Sequence, residues 1–175
     1  MGALFHRLYC LAISDVLILC LLGTLLFFLL KKAWIGYPGW KASVAAVLLV
    51  WAAAAVTATV LQRNSDGGGV ILIPFHSYWE TIQGGNRERL RSNLMNAVLF
   101  YPPGLFAWEL LPVKLRPRTR FCIVLLAALV MSVSIECLQY LGNLGLAETD
   151  DVIHNTLGTA LAAGVCLVRS GGNKS

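Results

Sequence analysis

The stretch Phe121–Leu141, FCIVLLAALVMSVSIECLQYL, is apolar except for Ser132, Ser134, Glu136 and Gln139. As a helix such a run is long enough to cross the ~30 Å hydrocarbon core of a bilayer. A charged side chain near the middle of a membrane helix costs about 2.5–3.5 kcal/mol by insertion measurements, so Glu136 needs partners. Glu136 and Gln139, three residues apart, lie on one helix face, and Ser132 continues that face one turn earlier. The rest of the chain has to supply what this face meets.

Four further apolar stretches of comparable length occur, at Leu11–Leu30, Ser43–Leu61, Asn93–Leu111 and Val152–Val168. The third is expected to be broken by Pro102 and Pro103, and the last is short and contains His154 and Asn155. With 57% hydrophobic residues, 13% charged residues and a mean hydropathy of +0.69, the composition excludes a soluble class. The expected fold is all-α, a polytopic transmembrane bundle of about five helices, organised as one domain over residues 1–175. The first apolar run is closed by Lys31 and Lys32 and lacks the charge-first, small-residue-last pattern of a signal peptide, so it is expected to remain as a helix. Cys10, Cys20, Cys122, Cys137 and Cys166 lie in or beside apolar segments without a C-x-x-C pair, and read as small core residues rather than a disulfide framework or zinc site.

Basic residues in short loops set the orientation of a membrane protein. Lys31, Lys32, Lys41, Lys114, Arg116, Arg118, Arg120, Arg169 and Lys174 fall on one side, against Arg7, Arg63, Arg87, Arg89 and Arg91 on the other. The last loop of that second side is acidic, with Glu148, Asp150 and Asp151. This asymmetry places the amino terminus outside and the carboxyl terminus in the cytoplasm. The formal charge of +5 then reflects topology and anionic lipid, and no aromatic-basic stripe suggests a nucleic-acid partner. The long outer segment Gln62–Ser92 opens on a glycine-rich turn and continues as VILIPFHSYWETIQGG, too short to span. It is expected to form an interfacial or re-entrant element with Tyr78 and Trp79 at headgroup level.

At ~1.5 Å per residue, Glu136 lies about 22 Å from the cytoplasmic start at Phe121, in the outer half of the bilayer. Asn93 and Asn96 open the third helix from the outer side, Asp151 and Asn155 open the fifth, and Asp15 stands near that end of the first. Asp151, Asn155 and Gly158 follow at i, i+4 and i+7, so they share a face as Ser132, Glu136 and Gln139 do. Small residues Gly158, Ala162 and Ala163 permit close helix approach. The plainer readings are that Asn93 is an interhelical hydrogen-bonding residue and that His76 and His154 are interfacial rather than metal ligands. Asp150 reads as a solvated residue capping the helix that follows.

The order of these residues resembles the VanZ-like family of bacterial membrane proteins over about residues 71–164, with the helices 11–30 and 43–61 as N-terminal additions. Ile73–Phe75 is similar to the family's loop motif, and NAVLFYPPG matches its N-x-x-x-F-x-P-x-G pattern through Asn96, Phe100, Pro102 and Gly104. IECLQ supplies the family's Glu and Gln as Glu136 and Gln139, and ETDDVIHNTLG resembles its acidic stretch followed by Asn-Thr-x-Gly, carried by Asp151, Asn155, Thr156 and Gly158. Family members usually carry an Arg shortly before the acidic stretch, where this chain has Gly145. Arg91 or Arg89 of the outer segment is the available replacement. The resemblance implies a cell-envelope membrane protein, associated in the named family member with resistance to the glycopeptide teicoplanin, and implies no defined activity.

The leading expectation is binding of a membrane lipid or lipid-linked envelope precursor in an outer-leaflet polar pocket. Glu136 and Asp151 would orient the headgroup, Asn96, Gln139 and Asn155 would supply amide hydrogen bonds, and Arg91 would provide the counter-ion. The alternative is an intramembrane enzyme working through paired carboxylates whose proton affinities are driven apart. No G-x-S-x-G, H-E-x-x-H or phosphate-loop motif supports it, so no catalytic residue, metal ligand or cofactor is assigned. Transport ranks third, for want of inverted repeats or charge at the midplane.

Overall fold

A computed structural model describes residues 13–57, 69–84 and 87–172. The readings that rest on Arg7, Cys10, Arg63 and the side chain of Asp15 lie outside what is described. The chain divides into two units, Met1–Trp40 and Lys41–Ser175. In the first, helix α1 (Ile13–Trp34) is apolar along its length and carries Lys31 and Lys32 in its last turn, where cations complement the helix dipole.

The second unit contains α2 (Trp40–Val56) from Lys41 onward, β1 (Gly69–Ile71), α3 (His76–Gly84), α4 (Arg87–Leu110), α5 (Pro117–Leu141), β2 (Leu146–Glu148) and α6 (Thr149–Gly172). The described residues are thus all-α apart from one two-stranded parallel ladder, with Gly69 opposite Leu146 and Ile71 opposite Glu148. Helices α4 and α6 run longer than their apolar stretches suggested. Their polar first turns, Arg87–Ser92 and Thr149–Asp151, are helical although no hydrophobic criterion includes them.

Among the described residues, two helices, Pro117–Leu141 and Thr149–Gly171, are long and apolar enough to cross a membrane. Burial along α5 is inverted relative to a soluble helix. Its buried face includes Ser132, Glu136 and Gln139, while Leu126, Val130, Leu138 and Leu141 are exposed. Apolar surface of that extent is unstable against water and fits lipid, so the inside-out pattern identifies a membrane-associated protein.

Helix α5 starts with Pro117 in its first turn, where a missing N–H costs nothing. It ends in a Schellman arrangement: the Leu144 N–H donates to the Gln139 carbonyl at 2.9 Å and the Asn143 N–H to Tyr140 at 3.2 Å, with Asn143 left-handed at φ 51°.

Pro102 and Pro103 do not break α4, contrary to their reading as an interruption. A proline at 103 cannot donate to the carbonyl of residue 99 four positions back. That carbonyl is taken instead by the Trp51 indole N–H from α2, at 2.8 Å. One of the two helix bonds lost to the prolines is thereby replaced by a tertiary bond.

Helices α4 and α6 approach most closely at glycines. A Cβ on Gly158 would lie 1.9 Å from the Ala97 carbonyl oxygen, and one on Gly104 would lie 2.8 Å from both the Ala162 Cβ and the Thr159 oxygen. Ala162 and Ala163 are fully buried beside them. The small-residue stripe therefore works as expected, with the backbones themselves in contact. Thr159 adds a hydroxyl bond to the Phe100 carbonyl at 2.9 Å.

Candidate functional site

Three hydrogen bonds bring α4, α5 and α6 together at one level. The Asn96 amide donates to Asp151 Oδ1 at 2.7 Å, joining α4 to α6. The Asn155 amide donates to Ser132 Oγ at 2.8 Å, joining α6 to α5. One turn further along α5, Glu136 Oε2 accepts the backbone N–H of Glu148 at 2.9 Å, immediately before α6 begins. Glu136, Gln139, Asp151 and Asn155 are all buried. Of the residues selected from sequence, Asn96 and Asp151 bond each other, Asn155 bonds Ser132 one turn from Glu136, and Glu136 and Gln139 are buried on the same face of α5.

Directly beside this layer, α3 is fastened to α6 by a second network. Asp150 is 1% exposed, so its reading as a solvated cap of its own helix is corrected. Its carboxylate accepts the backbone N–H groups of Phe75 and Ser77 and the Ser77 hydroxyl. Asp150 therefore caps α3 across space, meeting the unpaired N–H groups and positive end of that helix. Asn93 donates to Ser77 Oγ at 2.7 Å, which makes it part of this latch.

His154 is buried. Its Nδ1 lies 2.6 Å from the Asp150 carbonyl oxygen, which can only accept, so Nδ1 carries a proton. Its Nε2 is hydrogen-bonded to the Tyr78 hydroxyl at 2.7 Å. Burial, and secondarily the Asp150 charge, pushes the Tyr78 phenol above its ordinary pKa, keeping it protonated.

Arg89 bridges three elements. Its Nε lies 2.7 Å from Glu80 of α3 and its Nη1 lies 3.2 Å from Glu148 of β2. Here is a counter-ion for the acidic stretch whose expected Arg is replaced by Gly145. Gly145 has φ 115°, a conformation that favours glycine, so restoring an arginine there would strain the loop. On α4, Arg89, Asn93, Asn96 and Phe100 form one helical row, and Arg91 stands off that row.

At the far end of α4, Arg120 is buried against the Trp108 ring at 4.4 Å and donates to the Trp108 carbonyl. The charge asymmetry had treated it as a loop cation. A guanidinium on the last turn of a helix satisfies both orphan carbonyl and dipole.

Among the described residues, no group of three or more His, Cys, Asp or Glu side chains is arranged to hold a metal ion. The four described cysteines are free.

Sequence reasoning offered Arg89 as a counter-ion for the acidic stretch but missed the connections of Asp150 with Ser77 and Phe75 and of Arg89 with Glu80. The partners of Asp150 lie up to 75 residues away, and two of its bonds end on backbone groups. The signal that was available is the Asp150–Asp151 pair itself: adjacent helical residues face directions ~100° apart, so one could face α4 and the other α3.

A membrane-associated helical fold with a buried polar layer at one end of its apolar helices defines the class. The chain belongs to the VanZ/LLP1 family, whose model matches residues 16–170. No curated protein and no solved structure matches it.

Proposed function

We propose that the protein is a five-span envelope membrane protein in which α1, α2, α4, α5 and α6 cross the bilayer, α3 lies in the outer interface, and the polar layer holds a lipid headgroup. The observation that carries this reading is the layer itself: the buried Asn155–Ser132 bond and the half-buried Asn96–Asp151 and Glu136–Glu148 bonds lie near one level of helices whose exposed faces are apolar. Polar groups retained at hydrocarbon depth are costly and serve a site by default. In this reading Glu136 and Asp151 orient the headgroup, Asn96, Gln139 and Asn155 hydrogen-bond it, and Arg91 grips its phosphate. The exposed Phe75, Trp79 and Ile82 of the α3 segment suit the interface, where aromatic side chains concentrate. A lipid-linked envelope precursor, and through it glycopeptide susceptibility, is the finer version of the same proposal.

Orientation is tested by labelling with a thiol reagent that does not cross membranes, in a chain whose native cysteines are replaced. With the amino terminus outside and the carboxyl terminus in the cytoplasm, Gln83→Cys labels in intact cells and Thr119→Cys does not; both positions are exposed. The reverse pattern would put the polar layer in the inner leaflet.

Binding is tested by native mass spectrometry of gently extracted protein. Glu136→Gln and Arg91→Ala are expected to lower specific lipid retention about tenfold, the equivalent of ~1.4 kcal/mol, while Arg116→Ala leaves it unchanged. Equal retention by all three would leave the layer a structural one.

A further inference from the structure

We infer that the ligand of this layer carries an N–H-donating ammonium group, as in the headgroup of an aminophospholipid; this deepens the headgroup-binding reading and rests on it. Two independent observations lead there.

The first is charge. Glu80, Glu136, Glu148, Asp150 and Asp151 all belong to the linked networks at this end of the helices. Arg89 is shared between two of them, Glu80 and Glu148. Counting Arg91 as well, five carboxylates stand against two guanidiniums among the described side chains. Even with His154, which bonds the Asp150 carbonyl and Tyr78, and His76, which lies 3.8 Å from Glu80, both counted as cations, the carboxylates remain in excess. An anionic headgroup alone would enter against this excess, whereas an ammonium reduces it.

The second is an acceptor without a donor. Asn155 is 3% exposed, and its Oδ1 has no hydrogen-bond partner although its Nδ2 is bound to Ser132. The neighbouring Thr156 Oγ1 is also buried and without a partner. Buried acceptors in folded proteins are nearly always satisfied, and leaving one unpaired costs its full desolvation. Asn155 follows Asp151 by one helical turn and reaches α5 one turn from Glu136, so its orphan oxygen belongs to the acidic layer. Carboxylates and a neutral amide oxygen together form an acceptor set for a cation that also donates hydrogen bonds. A primary ammonium has three N–H groups to give, whereas a trimethylated ammonium has none. A phosphate on the same headgroup would fall to Arg91, so a zwitterionic lipid matches both ends.

The test uses the full chain in detergent with equimolar phosphatidylethanolamine, phosphatidylcholine and phosphatidylglycerol, with retention read by native mass spectrometry. The three share a phosphate and differ in having an N–H ammonium, a trimethylated ammonium and no cation. Phosphatidylethanolamine is expected to be retained about tenfold over each of the others. Asn155→Leu should reduce that preference, and the comparison in the unchanged protein stands even where this variant does not fold. Retention of all three alike, or preference for phosphatidylglycerol or phosphatidylcholine, would overturn the inference while leaving headgroup binding intact. Free ethanolamine, followed by its effect on the thermal midpoint, separates the two possible sources of the amine. Stabilisation by ethanolamine with no lipid retained would support an amine site and remove the lipid reading. Neither effect would remove both.

Discussion

Gly158→Ala is expected to destabilise the protein by about 3 kcal/mol, the upper part of the range for overpacking, because the added carbon would land on backbone rather than on a movable side chain. Its nearest atoms would be the carbonyl oxygen of Ala97 at 1.9 Å, the carbonyl carbon at 2.7 Å and the Cα at 2.9 Å. Relief requires α4 and α6 to move apart. That movement stretches the Thr159–Phe100 bond at 2.9 Å and the Asn96–Asp151 bond at 2.7 Å, so packing and the polar layer fail together. Thermal unfolding in detergent measures the loss. Gly164→Ala supplies the control on the same helix, where an added Cβ meets nothing within 4 Å. It should be neutral or gain up to about 1 kcal/mol from helix propensity. Unfolding of both variants at the parent temperature would contradict the close approach.

Asp150→Ala should release α3 without unfolding the spans. Loss of the carboxylate strands the Phe75 and Ser77 N–H groups and the Ser77 hydroxyl. Unsatisfied buried groups cost about 1–3 kcal/mol each, but α3 can relieve the debt by lifting into the hydrated interface. Hydrogen exchange over 75–84 is therefore expected to accelerate about 100-fold, equivalent to ~2.7 kcal/mol of local opening, while α5 stays protected. The Arg89 bridge cannot hold α3 alone, since its carboxylate on Glu80 is 38% exposed and such pairs contribute little. Asp150→Asn keeps one acceptor oxygen and should open less. Unchanged protection in Asp150→Ala would show that other contacts hold α3.

Membrane character and the buried face of α5 were legible in sequence because both are local: a run of apolar residues and a 3.6-residue period determine them. The same holds for the Asp151–Asn155–Gly158 face, whose members then meet Asn96, Ser132 and Ala97. Helix ends were less legible. Arg87–Ser92 and Thr149–Asp151 are polar turns that extend apolar helices, and a reading based on hydrophobicity stops short of them.

Pro103 shows the limit in another way. From sequence it is a helix breaker, and whether the helix breaks depends on whether something else accepts the task of bonding to residue 99. Only the tertiary fold brings Trp51, 48 residues away, to that carbonyl.

What the sequence determined by itself was the membrane class, the polar faces of α5 and α6 and the small residues of α6 that permit close approach, because these follow from side-chain chemistry repeated at helical spacing. What the tertiary structure alone decided was which acid does what: Asp150 turns to the backbone of α3, Asp151 to Asn96, and Glu136 to the N–H of Glu148. Those choices depend on where distant backbone groups come to rest, and a hydrogen bond to a peptide N–H leaves no mark in the residue type that supplies it.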